Sequence, residues 1–414
     1  MTKKILFAIL AMSLLIIWGC GDNHQTKVDD SGATTAGVNA VVAANNQFAF
    51  ELYKNVTDEN SNVFFSPYSI STALAMTYEG ARGKTAEEMQ SVFHFPKEDI
   101  ARRTSYAKLY TEINSADKKY ELKTANALWV KQGFSLLPEF LATDEKYYGA
   151  KATNLDFQGK TEESRTTINS WVEDQTNSKI KDLIPKGVID PKYTRLILTN
   201  AIYFKGKWLL QFDKKETREE DFNKIDGISA KAQMMHIYGN KAYFRYMEDD
   251  SLQAIEMPYQ GENVSMMIIL PKEGKFEDVE KAMSSAKFQD ISESMRKEKV
   301  EVYLPKFKFD SKMFMADTLK QMGMPLAFSV DADFSGMDGE KDLYIGAVIH
   351  QAYIDVYEEG TEAAAATAVI MVAKSTSIET KPIVFKADHP FIFLIKENSN
   401  GNILFMGRVM DPTK

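Results

Sequence analysis

The sequence predicts one α+β domain behind an export segment. Three observations carry that reading. Apolar residues recur at helical spacing early in the chain. Runs that are apolar on both faces, or that alternate, dominate later, and helices followed by strands point to an α+β architecture. No Pro/Gly/Ser-rich stretch, repeat or long charge run interrupts residues 38 to 411, so the 414-residue chain is read as one large domain although its length alone suggests two or three.

Composition excludes several functions. A 44% hydrophobic, 26% charged chain is globular, and a net charge of -8 argues against non-specific nucleic-acid binding, which needs a basic surface. One cysteine leaves no internal disulfide framework and no Cys-rich metal site. The five histidines, His24, His94, His236, His350 and His389, show no pair at metal-ligand spacing. Neither a metal nor another cofactor is expected.

Residues 1–19 read as a signal peptide, with basic Lys3 and Lys4, an apolar run from Ile5 to Trp18, and Gly19 before Cys20. The run is shorter than a spanning helix needs. Ile17-Trp18-Gly19-Cys20 resembles a bacterial lipobox, in which the cysteine becomes the lipidated first residue; Trp18 is bulky for its slot. The alternative is an ordinary cleaved signal with an incidental cysteine. The expectation is therefore an exported protein, anchored through Cys20 at the cell surface or in the periplasm, or else secreted. Polar and small residues over 20–38 suit a flexible tether, and the domain is placed at 39–414.

Val41, Ala44, Phe48 and Leu52 give an amphipathic helix over 41–54. Asn62-Val-Phe-Phe-Ser66-Pro67-Tyr68-Ser69 reads as a short strand and a turn into a buried helix ending at Gly80 or Gly83. Thr85-Ala-Glu-Glu88 has the spacing of a capping box. Gly80 to Thr85 is no phosphate loop, because that motif needs glycine at position 78, where Tyr78 stands. Asn126 to Val130 reads as a strand, and residues 161–176 as a helix with Ile168, Trp171 and Val172 on one face.

Arg195 to Phe204 is apolar on both faces, as in a central strand. Asn200 is its exception. A buried amide without partners costs roughly 1–3 kcal/mol, so Asn200 belongs in a polar network. Lys205 to Trp208 end the strand. Val264 to Leu270 is a buried strand stopped by Pro271, Glu301 to Phe309 alternates with a break at Pro305, and Met313 to Met322 is helical up to Gly323. Tyr344 to Tyr357 is extended and carries His350, which in isolation equally suits a satisfied core histidine. Phe391 to Ile395 and Ile403 to Met406 flank a hairpin turn.

The stretch from Glu358 to Ser375 is unusual. Between Glu362 and Lys374 it has no charge, proline or glycine. On a strand, Thr361, Ala363, Ala365, Thr367, Val369, Met371 and Ala373 share one face. Its alanines also suit a buried helix.

Glu358-Glu359-Gly360-Thr361-Glu362-Ala363-Ala364-Ala365-Ala366-Thr367 looks like the proximal hinge of the reactive-centre loop of inhibitory serpins. Other segments resemble the same family: Asn62 to Met89, Leu198 to Trp208, Phe385 to Ile395 and Gly401 to Pro412, so the likeness runs from about residue 40 to 412. It implies eight to nine helices on three β-sheets, with an exposed loop at about 358–381. It implies a suicide-substrate inhibitor of serine proteases. A protease cleaves the loop, and the freed arm enters the central sheet as a new strand, trapping the acyl-enzyme. By motif, Ser66, Ser69, Asn200 and His350 correspond to the family's polar shutter, and Trp208 to the breach where the arm enters.

The resemblance places the scissile bond fourteen residues past the hinge glycine, at Lys374-Ser375. Lysine there suits trypsin-like proteases. From Lys374 to Pro390 is 16 residues, a few more than many relatives have, so Val372, Ala373 and Lys381 remain alternative bait residues. The partners implied are a target serine protease and a membrane through Cys20, with no nucleic acid, and a monomer is expected. A non-inhibitory serpin, binding or surface protein, is the second reading; such members often carry charged or bulky residues where this chain has Ala363 to Ala366. A hydrolase is disfavoured by the lack of Gly-x-Ser-x-Gly and His-Glu-x-x-His.

Overall fold

A computed structural model describes residues 27–57, 60–115, 118–150, 152–361 and 382–414. The chain opens with α1 (Thr35–Val56), a short strand β1 (Val63–Phe65), α2 (Pro67–Gly80), α3 (Gly83–Phe93) and α4 (Asp99–Ile113). Next come β2 (Tyr120–Lys131), α5 (Pro138–Tyr148), β3 (Ala152–Leu155), α6 (Thr161–Gln175) and β4 (Leu196–Lys207). Five strands follow: β5 (Arg218–Asn223), β6 (Ser229–Ile237), β7 (Tyr243–Glu248), β8 (Leu252–Pro258) and β9 (Val264–Pro271). Helices α7 (Phe276–Ala282) and α8 (Ser285–Ser294) lead to β10 (Arg296–Pro305) and β11 (Phe307–Phe314). Then α9 (Met315–Met322) and a one-turn α10 (Ser335–Asp338) precede β12 (Ile345–Tyr357), the two-residue β13 (Gly360–Thr361), β14 (Ile383–Lys386), β15 (Phe391–Glu397) and β16 (Ile403–Val409).

A six-stranded sheet runs in the order β11-β12-β13-β4-β2-β3. The other strands form a ten-stranded network that bends at β10. The first residues of β10, Arg296 to Lys299, pair with β7, and its last, Val302 to Pro305, pair with β6. That network is two sheets sharing one strand, so the described residues build three sheets and an α+β fold, as expected. Nine helices exceed one turn among the described residues, and α10 is the tenth.

The six-stranded sheet separates two cores by strand alternation. Ile197 and Ala201 of β4, Ile349 of β12 and Trp129 of β2 pack under Ile168 and Val172 of α6. Their neighbours Leu198, Ile202 and Phe204, with Val348, Ala352 and Ile354, face the main core with Ile70 and Leu74 of α2. Fully burying each such aliphatic side chain stabilises by roughly 1.5–3 kcal/mol. Both faces of β4 are therefore apolar, and Asn200 and His350 fall on the main-core side by parity.

Three local expectations need correction. Helix α1 starts at Thr35, well before residue 41, with the Thr34 hydroxyl capping it through the Gly37 amide at 3.1 Å. The last part of the 20–38 tether is likewise docked, since Asp29 N–H donates to Lys146 O at 2.7 Å and Asp30 pairs with Lys108 at 3.6 Å. Small polar residues served as caps and contacts there. Thr85 does not cap α3: Arg82 holds the N-cap, and the Thr85 hydroxyl accepts from the Asp333 amide at 2.9 Å.

Candidate functional site

Two clusters lie along the seam between β4 and β12. The lower one is polar. Ser66 caps α2: its Oγ accepts from the Ser69 amide at 3.1 Å and donates to Leu404 O of β16 at 2.6 Å. Asn200 donates from Nδ2 to Ser69 Oγ and to Asn126 Oδ1, and its Oδ1 accepts from His350 Nδ1. Ser69 Oγ also donates to Asn126 Oδ1 at 3.2 Å. Ser66 N–H donates to His350 Nε2 at 3.1 Å.

These bonds define the imidazole's tautomer. Nε2 accepts, so Nδ1 carries the proton. Burial pushes the ring down to about 3, against an opposing pull from Asn200. A second proton would face the Ser66 amide with no acceptor. The cluster thus ties three strands of one sheet to α2 and to β16, with Ser66, Ser69, Asn200 and His350 themselves buried.

The upper cluster lies where the two strands part. β4 and β12 pair directly, in parallel, up to Tyr353 and Tyr203. Beyond that point Gly360 and Thr361 sit between them. Thr361 pairs with Val356 of β12 and Gly206 of β4, and Gly360 with Tyr357 and Lys207, both ladders antiparallel. Close approach requires this glycine: a Cβ on Gly360 would lie 2.0 Å from Gly206 O.

The turn before β13 is clamped. Trp208 N–H donates to Glu359 O at 2.9 Å, Phe212 N–H to Glu358 O at 3.0 Å, and Trp208 Nε1 to Tyr357 O at 3.0 Å. Lys214 pairs with Glu359 at 2.7 Å and Lys306 with Glu358 at 3.0 Å. Burial would raise the Glu358 carboxyl, but its own amide, Lys306 and Thr217 hold it below the usual range. Trp208 stacks on Tyr259 at 4.5 Å, and the Tyr259 hydroxyl reaches Thr361 Oγ1 at 2.7 Å.

The structure therefore brings Ser66, Ser69, Asn200 and His350 into one network, and sets Trp208 against Glu359. Gly360 and Thr361 are the inserted pair. Glu362, Ala363 to Ala366, Thr367, Val372, Ala373, Lys374, Ser375, Lys381 and Cys20, with the rest of the signal peptide, lie outside the described residues. Sequence reasoning missed Asn126, although an amide inside an apolar strand was a usable signal. It also missed Tyr259, Lys214, Thr217 and Lys306, which carry no local signal because distant strands deliver them.

The His350 ring makes stability pH-dependent. Its folded pKa lies below the unfolded value of 6.5, so the unfolded chain binds the extra proton first. The contribution of this ring is complete above pH 6.5 and falls as pH drops towards 3, by roughly 1.4 kcal/mol per unit. Urea melts of the wild type and His350→Gln between pH 7 and 4 should show the wild-type advantage shrinking at that slope. Parallel curves would mean that the ring is not neutral in the fold.

Known proteins resemble this chain in sequence and fold. A sequence model of the family described as serpin (serine protease inhibitor) matches residues 43–412. An uncharacterized serpin-like protein of Thermococcus kodakarensis is 49% identical over 373 residues, 90% of this chain and 86% of its own. The leukocyte elastase inhibitor of Bos taurus is 39% identical over 379 residues, 89% of this chain and 99% of its own. The crystal structure of Serpin48, a highly specific serpin of the insect Tenebrio molitor, superposes with a TM-score of 0.79 at 36% identity, covering 90% of this chain and 98% of that one. With this fold and this extent of similarity, the chain belongs to the serpin family.

Proposed function

We propose that this serpin is a suicide-substrate inhibitor of serine proteases, with trypsin-like enzymes as its targets. One observation carries the reading: Gly360 and Thr361 already pair with both β4 and β12. The slot below them is closed only by direct pairing of those two strands. The chain that follows, from Ala363 to Ala373, is uncharged and starts with four alanines.

Continuing the same register residue by residue has definite consequences. Met371 would reach Leu196, the first residue of β4, so the arm matches the strand's length, roughly 34 Å of extended chain. Thr367 would arrive between Asn200 and His350, a hydroxyl delivered to the polar step on the main-core face of the slot. Glu362 would then fall on the face opposite Thr361, away from the main core. Lys374, three residues beyond Met371 in the chain, would then come past the end of β4. A protease acylated at Lys374 would be carried the length of the sheet.

The energetic logic is kinetic. Direct pairing of β4 and β12 leaves out a strand that the sheet can accept, and cleavage frees the arm to supply it. Ala363, Ala365 and Thr367 would bury small groups against the main core. A non-inhibitory serpin would be cut at the loop without retaining the protease.

Incubation with trypsin should give an SDS-stable covalent complex and a released fragment whose N-terminus is Ser375. A different N-terminus would move the bait to Val372, Ala373 or Lys381, and clean cleavage without a complex would refute inhibition. Ala365→Asp is expected to behave as a substrate. Extending the register would set position 365 between Ile202 and Ala352, both fully buried, where an unpaired carboxylate costs several kcal/mol. Full trapping by that variant would contradict insertion.

The export reading is a separate proposal, motivated by the lipobox-like Ile17 to Cys20. Cys20→Ala should shift the protein from the membrane to the soluble fraction. Unchanged membrane recovery would remove the lipid anchor.

A further inference from the structure

We infer that the Tyr259 hydroxyl is the latch that seeds strand insertion: it holds Thr361 between β4 and β12 and so sets the register in which the arm enters. The inference rests on the inhibitor reading for its functional consequence, but not for its geometry. Tyr259 lies outside β4, β12 and the hinge. It follows β8, and an isolated antiparallel bridge ties it to Trp208. Its hydroxyl and that of Thr361 form a 2.7 Å bond between residues that are 0% and 1% exposed.

The ring is fixed independently of that bond. It stacks on Trp208 with an interplanar angle of 16° and meets Phe204 edge-on with centroids 5.0 Å apart. Gly206 makes room for it, since a Cβ there would sit 2.8 Å from Tyr259 Cδ1. Tyr259 is therefore a rigid post with one polar atom, and that atom points at the second residue of β13.

The contact discriminates between registers. β13 pairs through only two residues on each side, and a slip of one residue would turn every side chain of the arm to the wrong face. Thr361 is the described β13 residue with a side chain to read. A slip would place Gly360 or Glu362 over the phenol, offering it no hydroxyl or a carboxylate. With the latch made, an arm entering in this register would present Ala363 and Ala365 to the main core. Without it, the pair can withdraw and the strands can close over the cleft. Insertion then starts later, and more acyl-enzyme hydrolyses before it is trapped. Tyr259 is thus a positioning residue and touches no protease.

Tyr259→Phe and Thr361→Val each remove one hydroxyl and keep the shape. Two quantities are measured: the moles of inhibitor consumed per mole of trypsin trapped, and amide exchange at Gly360 and Thr361 in the uncleaved protein. Both variants should raise consumption about five-fold, the factor that one neutral hydrogen bond typically carries, and should speed exchange at both amides. Thr361→Ser should restore wild-type values, and the double variant should be no worse than either single one, because the two hydroxyls act as one unit. Wild-type consumption and exchange in both variants would overturn the latch. So would an effect of Tyr259→Phe that Thr361→Val does not share, which would assign the change to ring packing. If the wild type is cut without trapping, the inhibitor reading fails, and the exchange data still decide the latch.

Discussion

Two parallel strands, β4 and β12, pair directly over eight positions and then separate, and a two-residue strand holds them apart. Much of the molecule is arranged around that seam. Parallel ladders have slanted bonds and are slightly weaker per residue than antiparallel ones. Here the parallel contact occupies a place that an antiparallel strand fits on both sides. On the proposed reading, insertion trades one parallel ladder for two antiparallel ones and buries alanine methyl groups as well.

The seam is pinned from below and from above by different chemistry. Below, neutral side chains meet in a dry network, where each bond is worth about 1 kcal/mol but an orphaned partner costs up to about 3. His350 serves because its neutral ring has one donor and one acceptor, matching Asn200 on one side and the Ser66 amide on the other. Above, charge adds to neutral bonds: Lys214 and Lys306, each more than a third exposed, hold two nearly buried glutamates. Those bridges are discounted by solvent at the lysine end, so the ion pairs are the softer part of the upper clamp.

A similar contrast between dry and wet electrostatics appears beside α2. Glu79 is buried and accepts from Arg102 at 3.0 Å, Arg103 at 2.6 Å and Tyr148 at 2.7 Å. It locks α2 to α4 and α5, and α2 in turn carries Ser66 and Ser69. The polar network therefore stands on a rigid base. Asp144 nearby has no side-chain partner, and burial pushes its carboxyl well above the usual range.

Much of the fold was legible along the chain because strand parity and apolar runs are local. β4, β9, β12 and the β15–β16 hairpin follow from their residues, and Asn200 declares a network because an apolar strand leaves an amide no other course. The four shutter residues were named by resemblance, while their mutual bonds needed the fold: Ser66 and His350 are separated by 284 positions in the chain. What the amino-acid order determined by itself is the arm: its small, uncharged face and its length. What only tertiary structure supplies is the pairing of Gly360 and Thr361, from which the proposed course of that arm is read. The register comes from backbone pairing of Gly360 and Thr361 with strands far away in sequence, and the Tyr259 contact from a strand end that no local pattern links to the hinge. Pairing between distant strands leaves no periodic trace in either one, which is why the slot became visible only in three dimensions.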